Sequence, residues 1–162
     1  MRYAAIIKDD VVNGEGVCTS FFVQGCPHHC KGCFNQDTWD FEGGLPYGPS
    51  VKWEIIRSIG ANGFNRGFSV LGGEPMAPQN TRMVLDVLNA VRAAYPNITI
   101  YLWTGYTMEE LNDPAHQEIL DKIDCLIDGQ YIDELRDLSL KLRGSINQRI
   151  WRKKNGRWEQ QC

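Results

Sequence analysis

The sequence lacks the segments that export a protein or anchor it in a membrane. Its first ten residues, MRYAAIIKDD, reach two aspartates before an apolar stretch of signal-peptide length can form. No apolar run approaches the roughly 20 residues that a membrane helix needs. We therefore expect a cytoplasmic protein without a membrane partner. In that reducing compartment, clustered cysteines are more often metal ligands or redox groups than structural disulfides.

The sequence also lacks a long basic run. It contains 17 lysine and arginine residues against 20 aspartate and glutamate residues, which gives a net charge of −3. The most basic stretch, WRKKNGRW, covers only residues 151–158. Because nucleic acids attract proteins through clustered positive charge, we predict no nucleic-acid partner. The sequence also shows no hydrolytic triad, no phosphate-binding loop and no glycosidase-type pair of carboxylates.

Short apolar runs alternate with segments of helical spacing, and this alternation indicates an α/β fold. The apolar runs predict strands at 3–7, 19–24, 67–73, 98–103 and 123–129. Val84, Val87, Leu88 and Val91 share one face of a helix predicted at 80–95, and a further helix is predicted at 115–122. An earlier helix, capped by Ser50, is predicted to bury Trp53, Ile56 and Ile59.

The order of these elements predicts a curved, mostly parallel sheet with outer helices. A complete eightfold barrel takes about 250 residues, and the chain has 162. We therefore expect a partial, shortened barrel. It would form a single domain over residues 1–162 and end in a tail and hairpin at about 141–162, where Asn155-Gly156 marks the turn.

Three loops are expected to meet at one end of this sheet. The cysteine loop follows the strand at 19–24, GGEP follows the strand at 67–73, and TGY follows the strand at 98–103. Ligands of parallel sheets bind at the carboxyl ends of the strands, where these loops begin. The topology therefore predicts one binding site built from all three loops.

Three cysteines, Cys26, Cys30 and Cys33, lie within eight positions. They would line one face of a helix, but glycine and proline in the same segment disfavour a helix. A disulfide or redox pair would leave one thiol over. Structural zinc would take His28 or His29 as a fourth ligand. However, such sites usually draw on two separated ligand pairs, and no second Cys-x-x-Cys follows.

An iron–sulfur cluster suits three closely spaced thiols better. A four-iron cluster normally takes four cysteines, so three would leave one iron open to a small molecule. Cys18, Cys125 and Cys162 are alternative fourth ligands. Cys125 lies in a predicted strand, Cys18 directly precedes one and Cys162 is terminal, so we interpret them as core or tail residues.

The Cys-x3-Cys-x2-Cys spacing followed by Phe34 resembles the signature of the radical S-adenosylmethionine (SAM) enzymes. Over nearly the whole chain, the sequence resembles the activating proteins of anaerobic ribonucleoside-triphosphate reductase. That resemblance rests on six segments in order: VNGEG, GCPHHCKGCFNQDTW, LGGEPMAPQN, YLWTGY, LIDGQY and RGSINQ. Glu15, Cys18 and Leu142 depart from the proline, arginine and tryptophan that are usual in the family.

The resemblance implies a specific chemistry. Cys26, Cys30 and Cys33 would hold a [4Fe–4S] cluster whose open iron binds SAM. Reductive cleavage of SAM would yield a 5′-deoxyadenosyl radical that removes hydrogen from a glycine on the large subunit of the anaerobic reductase. The implied electron donor is of flavodoxin type. An activase for another glycyl-radical enzyme, such as a formate lyase, and a non-catalytic zinc-binding module are the alternatives.

The resemblance also implies which residues contact SAM. Phe34 would border the adenine, and Glu74 would accept a hydrogen bond from the methionine ammonium. The expected SAM contacts are Gly32, Cys33, Phe34, Gly72, Gly73, Glu74 and Thr104. His28 and His29 are predicted to be exposed loop residues.

Overall fold

The computed structural model describes residues 1–162, which form eight strands and three α-helices. The strands are β1 Arg2–Asp10, β2 Cys18–Val23, β3 Leu45–Pro46, β4 Gly67–Gly72, β5 Ile100–Trp103, β6 Cys125–Asp128, β7 Arg149–Lys154 and β8 Arg157–Gln161. The helices are α1 Pro49–Ile59, α2 Pro78–Ala94 and α3 Pro114–Lys122. Every predicted strand and helix is present, and the short β3 was not predicted.

All eight strands belong to one sheet, in the order β3-β1-β2-β4-β5-β6-β7-β8. The four central strands, β2, β4, β5 and β6, run parallel to one another. Antiparallel pairs extend the sheet at both sides, and β7 and β8 form the predicted hairpin. The prediction of an α/β fold around a mostly parallel sheet is therefore confirmed. The sheet does not close on itself, because β3 and β8 remain as free edges.

The three helices contribute to one apolar core with alternate residues of the strands. Val84, Val87, Leu88 and Val91 of α2 are buried, as their spacing predicted. None of the three helices is long and apolar enough to cross a membrane.

The prediction for α1 is wrong in its details. The helix starts at Pro49, directly after Gly48, so Ser50 does not cap it. It buries Ile59, as predicted, together with Val51 and Ile55, whereas Ile56 is only half-buried and Trp53 is 60% exposed. The buried face is therefore rotated away from the one expected.

The loop at residues 11–17, between β1 and β2, is fixed to the face of the sheet opposite the helices. The carboxylate of the buried Asp10 accepts hydrogen bonds from Ser20 Oγ at 2.6 Å, Asn13 Nδ2 at 2.7 Å and the Val12 N–H at 2.8 Å. Ser69 Oγ donates to the carbonyl of Asn13. These bonds satisfy polar groups that the strands place on a buried surface.

Candidate functional site

The loops after β2, β4 and β5 meet at the carboxyl end of the parallel strands, as predicted. The backbone N–H of Glu74 donates to the carbonyl of Gly25 at 2.8 Å, and Asn80 Nδ2 reaches the same carbonyl at 3.2 Å. A Cβ at Gly73 would lie 2.5 Å from that carbonyl oxygen, so only glycine permits this approach. The loops enclose a cavity of about 570 Å³, a size typical of small-molecule sites.

All three cysteines of the motif line this cavity, and so do most of the expected SAM contacts. The expected contacts that line it are Cys33, Phe34, Gly72, Gly73, Glu74 and Thr104. Gly32 does not line the cavity. Its φ is +73°, and a Cβ there would lie 2.5 Å from Asp133 Oδ1, so glycine is required at this turn.

Phe34 lies at the rim of the cavity, with 67% of its surface exposed. The guanidinium carbon of Arg136 lies 5.3 Å from its ring centroid, and the ring of Tyr131 lies 5.9 Å away. Phe34 is therefore not a core aromatic. Its open face can contact a ligand that enters the cavity.

The carboxylate of Glu74 connects the three loops. The residue is 1% exposed. Its Oε1 accepts hydrogen bonds from the Met76 N–H at 2.9 Å and from Thr104 Oγ1 at 2.7 Å. Its Oε2 accepts from the Gly105 N–H at 2.7 Å and from His28 Nε2 at 2.8 Å. One side chain thus holds the cysteine loop, its own loop and the loop after β5 together.

The prediction that both histidines of the cysteine loop are exposed is wrong for His28. Its side chain is only 15% exposed, because the ring packs edge-on against Tyr106 at 4.7 Å and pairs with Glu74. His29 is exposed, as predicted, and its ring stacks on Trp39 at 4.7 Å. The partner of His28 lies 46 positions away in the sequence, and local pattern therefore gave no signal for the contact.

The thiols of the cysteine loop are partly buried. Burial raises the pKa of the Cys26 thiol to about 11, although hydrogen bonds from the backbone of His28 and His29 act in the opposite direction. Burial likewise raises the pKa of the Cys30 thiol. Both thiols are therefore protonated at neutral pH in the free protein, and they release those protons when they bind iron as thiolates.

The segment at residues 130–137, after β6, forms a further wall of the site that was not predicted. The side chain of Gln130 and the backbone of Tyr131 hydrogen-bond to the Cys30 thiol and favour its thiolate. A signal for this wall was present in the sequence. The segment follows the fourth parallel strand, whose carboxyl end lies at the same edge of the sheet as the other three.

Residues 12–151 match the family model described as a 4Fe-4S single cluster domain. Over 153 residues the chain is 43% identical to the anaerobic ribonucleoside-triphosphate reductase-activating protein of Vibrio cholerae, covering 94% of this chain and 98% of the relative. The protein of the same name from Escherichia coli K12 is 39% identical, with coverage of 91% and 96%. The chain belongs to the family of anaerobic ribonucleoside-triphosphate reductase-activating proteins.

A member of this activating-protein family from Enterobacteria phage T4 is 35% identical over 98% of this chain and 99% of its own length. This is the family that the six sequence segments predicted. The matched 4Fe-4S region contains Cys26, Cys30 and Cys33 and leaves out Cys162. The activating-protein family and the 4Fe-4S match together support an iron–sulfur cluster in this chain.

The site has the donors that such a cluster needs. No group of three or more Cys, His, Asp or Glu residues is arranged around a point that could hold one metal ion. A cluster does not require that arrangement, because each thiolate binds a different iron. Three thiols that line the same cavity suit a cluster with one open iron, and the remaining volume suits a small molecule beside it.

Proposed function

We propose that this chain is a radical SAM enzyme that generates a glycyl radical on the large subunit of an anaerobic ribonucleoside-triphosphate reductase. The observation that carries the proposal is the meeting of three thiols with Glu74 and Thr104 in one cavity. The names of the relatives support the substrate protein. The whole chain, residues 1–162, would form one cytoplasmic domain with a partial radical SAM barrel.

Cys26, Cys30 and Cys33 would hold the [4Fe–4S] cluster and leave one iron for the amino and carboxylate groups of SAM. When bound, the cluster supplies the electron that cleaves SAM to a 5′-deoxyadenosyl radical, which takes hydrogen from a glycine. The chain's own residues bind and orient SAM and exclude water from it. A flavodoxin-type protein is the proposed electron donor.

The proposed SAM contacts come from three loops. Phe34 offers an aromatic face for the adenine, and Gly72 and Gly73 let the backbone approach the ligand. Glu74 would accept a hydrogen bond from an N–H of the methionine amino group. Each of its two oxygens already accepts two hydrogen bonds, so this N–H would share an oxygen with those donors. We assign Gly32, Cys33 and Thr104 to the same site, Gly32 through the turn that it permits.

Anaerobic reconstitution with iron and sulfide tests the cofactor. We expect about four irons and four sulfides per chain, and cleavage of SAM to 5′-deoxyadenosine when dithionite is added. A colourless protein that binds one zinc and does not cleave SAM would support the zinc-binding alternative and overturn the proposal.

The substrate protein requires a separate test. The reconstituted chain is mixed with SAM, a reductant and the large subunit of an anaerobic ribonucleoside-triphosphate reductase. A glycyl radical on the reductase is then sought by EPR. A formate lyase in a parallel sample is the matched control. A radical on the reductase alone supports the proposal, and a radical on the lyase alone would establish the other glycyl-radical activase.

A further inference from the structure

A cationic side chain lines the cavity without an acidic partner. Arg143 belongs to the RGSINQ segment and donates from Nη1 to the carbonyl of Gln148 at 2.8 Å. Its Nε is buried and has no hydrogen-bond partner. Arg143 takes part in none of the chain's ion pairs. Its Nη2 also forms no hydrogen bond within the protein, and unlike Nε it is not buried, so Nη2 is the donor that a ligand in the cavity can reach. A cationic group that the protein leaves without a counter-charge indicates that a ligand supplies one.

Neither acidic residue that lines the cavity pairs with Arg143. Glu74 already accepts four hydrogen bonds. Asp137 Oδ1 accepts from the N–H of Ser139 at 2.8 Å and from its hydroxyl at 2.6 Å. The protein therefore leaves the guanidinium without a counter-charge in the cavity.

The backbone around Arg143 is held in place before a ligand arrives. The Trp103 indole N–H donates to the carbonyl of Leu142 at 2.6 Å. Gln148 Oε1 accepts from the Gly144 N–H at 2.9 Å. These bonds fix the backbone on both sides of Arg143, and the bond from Nη1 to Gln148 orients its guanidinium, so Nη2 is held ready for a carboxylate.

We propose that Arg143 binds a carboxylate carried by a ligand in the cavity. The inference rests on the proposed function, which supplies two sources of that group. One is the carboxylate of SAM, and the other is an acidic residue of the reductase near its glycine. Both sources place the same chemistry against the same free donors.

The SAM source is tested by binding to the anaerobically reconstituted holoprotein. Dissociation constants are measured for SAM and for decarboxylated SAM in the wild type and in Arg143→Gln. If the carboxylate of SAM is the ligand, Arg143→Gln weakens SAM binding about 10- to 100-fold, as expected for a hydrogen bond to a charged group. Its affinity for the decarboxylated analogue stays within about twofold of the wild type, because that ligand lacks the group which Arg143 contacts.

The reductase source is tested by the affinity of the same two proteins for the reductase. An unchanged affinity for SAM with a reductase affinity about tenfold weaker would assign the carboxylate to the partner. Arg157→Gln is the matched control. It removes the same charge from an exposed position on β8 outside the cavity and should leave all three affinities unchanged.

Two results would overturn the inference while leaving the proposed function standing. Arg143→Gln could bind SAM and the reductase as the wild type does. Its affinities for SAM and for decarboxylated SAM could also fall by the same factor, which would indicate a structural role for Arg143. A wild-type holoprotein that binds neither SAM nor the reductase would overturn the proposed function itself, and this inference with it.

Discussion

The two faces of the central sheet are built by the same strands and differ in chemistry. On the face covered by helices, the strands place mainly apolar side chains in the core: Phe21, Val23, Phe68, Val70, Ile100, Leu102 and Leu126. The buried Thr19 is a polar exception there, and its hydroxyl is bonded to that of Ser58 in α1. The alternate positions point to the opposite face, and there they include Cys18, Ser20, Ser69, Tyr101 and Cys125. Hydroxyls and thiols on that face are buried beneath the loop at 11–17.

The difference shows how this chain divides stability from function. The helix-covered face supplies most of the continuous apolar burial, which is the main favourable term in folding. The opposite face carries polar groups that need partners, and at its carboxyl end it opens into the cavity with the three cysteines. Substitutions on the two faces should therefore have different consequences.

The largest expected effect is on the cavity side. Cys30→Ala removes one of three cluster ligands, so we expect loss of cluster-bound SAM and of most bound iron and sulfide, with an unchanged circular dichroism spectrum. Cys162→Ala is the control, because this exposed terminal thiol is not at the site. Wild-type iron content and SAM cleavage in Cys30→Ala would contradict the ligand assignment.

A truncation on the helix-covered face should instead reduce stability. Leu102→Ala leaves a cavity in the fully buried core and should lower the free energy of unfolding by about 2–5 kcal/mol. Cys125→Ala, on the opposite face of the next strand, removes a smaller group and should cost less. Urea unfolding of both variants checks this order. Equal losses would mean that the two faces contribute alike.

Asp10 provides a pH-dependent test of the polar face. Burial pushes the pKa of its carboxyl up, but hydrogen bonds from Ser20, Asn13 and the Val12 backbone outweigh burial and hold the pKa below the ordinary 3.8. Because the folded pKa is depressed, this stabilisation is present above pH 3.8 and is lost as the pH falls below it. Asp10→Asn should cost about 1–3 kcal/mol at pH 7.

The same variant should lose less stability than the wild type between neutral and acidic pH, since it has no carboxylate to protonate at this position. Thermal unfolding followed across that range measures the difference. Parallel pH profiles for the two proteins would show that Asp10 is not the group responsible.

The smallest effect is expected at Glu15, where the family usually has proline. Glu15 pairs with Arg152 of β7 at 2.5 Å and thereby links the loop at 11–17 to the far side of the sheet, but its side chain is 61% exposed. Glu15→Gln should therefore cost no more than about 1 kcal/mol. The difference should shrink in 1 M salt, which screens exposed charges. A loss that persists in salt would indicate a structural role beyond the ion pair.

On the helix-covered face, the sequence predicted the buried side of α2 but not that of α1. α2 carries one apolar stripe, from Val84 to Val91, and its buried face follows directly. In α1, Val51, Ile55 and Ile59 compete with a second stripe that includes Trp53. Packing against the neighbouring strands and α2 decides which of the two stripes is buried. The spacing of apolar residues within α1 carries no information about those contacts.

The parts of the site that consist of short sequence motifs were predictable from the sequence. The three cysteines and GGEP were located by their spacing and by the strands that they follow. The roles of His28, Gln130 and Arg143 depend instead on the groups around them in space. His28, for example, pairs with Glu74, which lies 46 positions away in the sequence. Those contacts arise from the sheet order, which brings distant loops to one edge.

The four hydrogen bonds at Glu74 also have a dynamic consequence. Opening any one of the three loops breaks bonds that restrain the other two. We therefore expect the amide protons of these loops to exchange with solvent in a single cooperative event. The pocket would then be either fully formed or fully open, and ligand binding would shift the equilibrium between these two states towards the formed pocket.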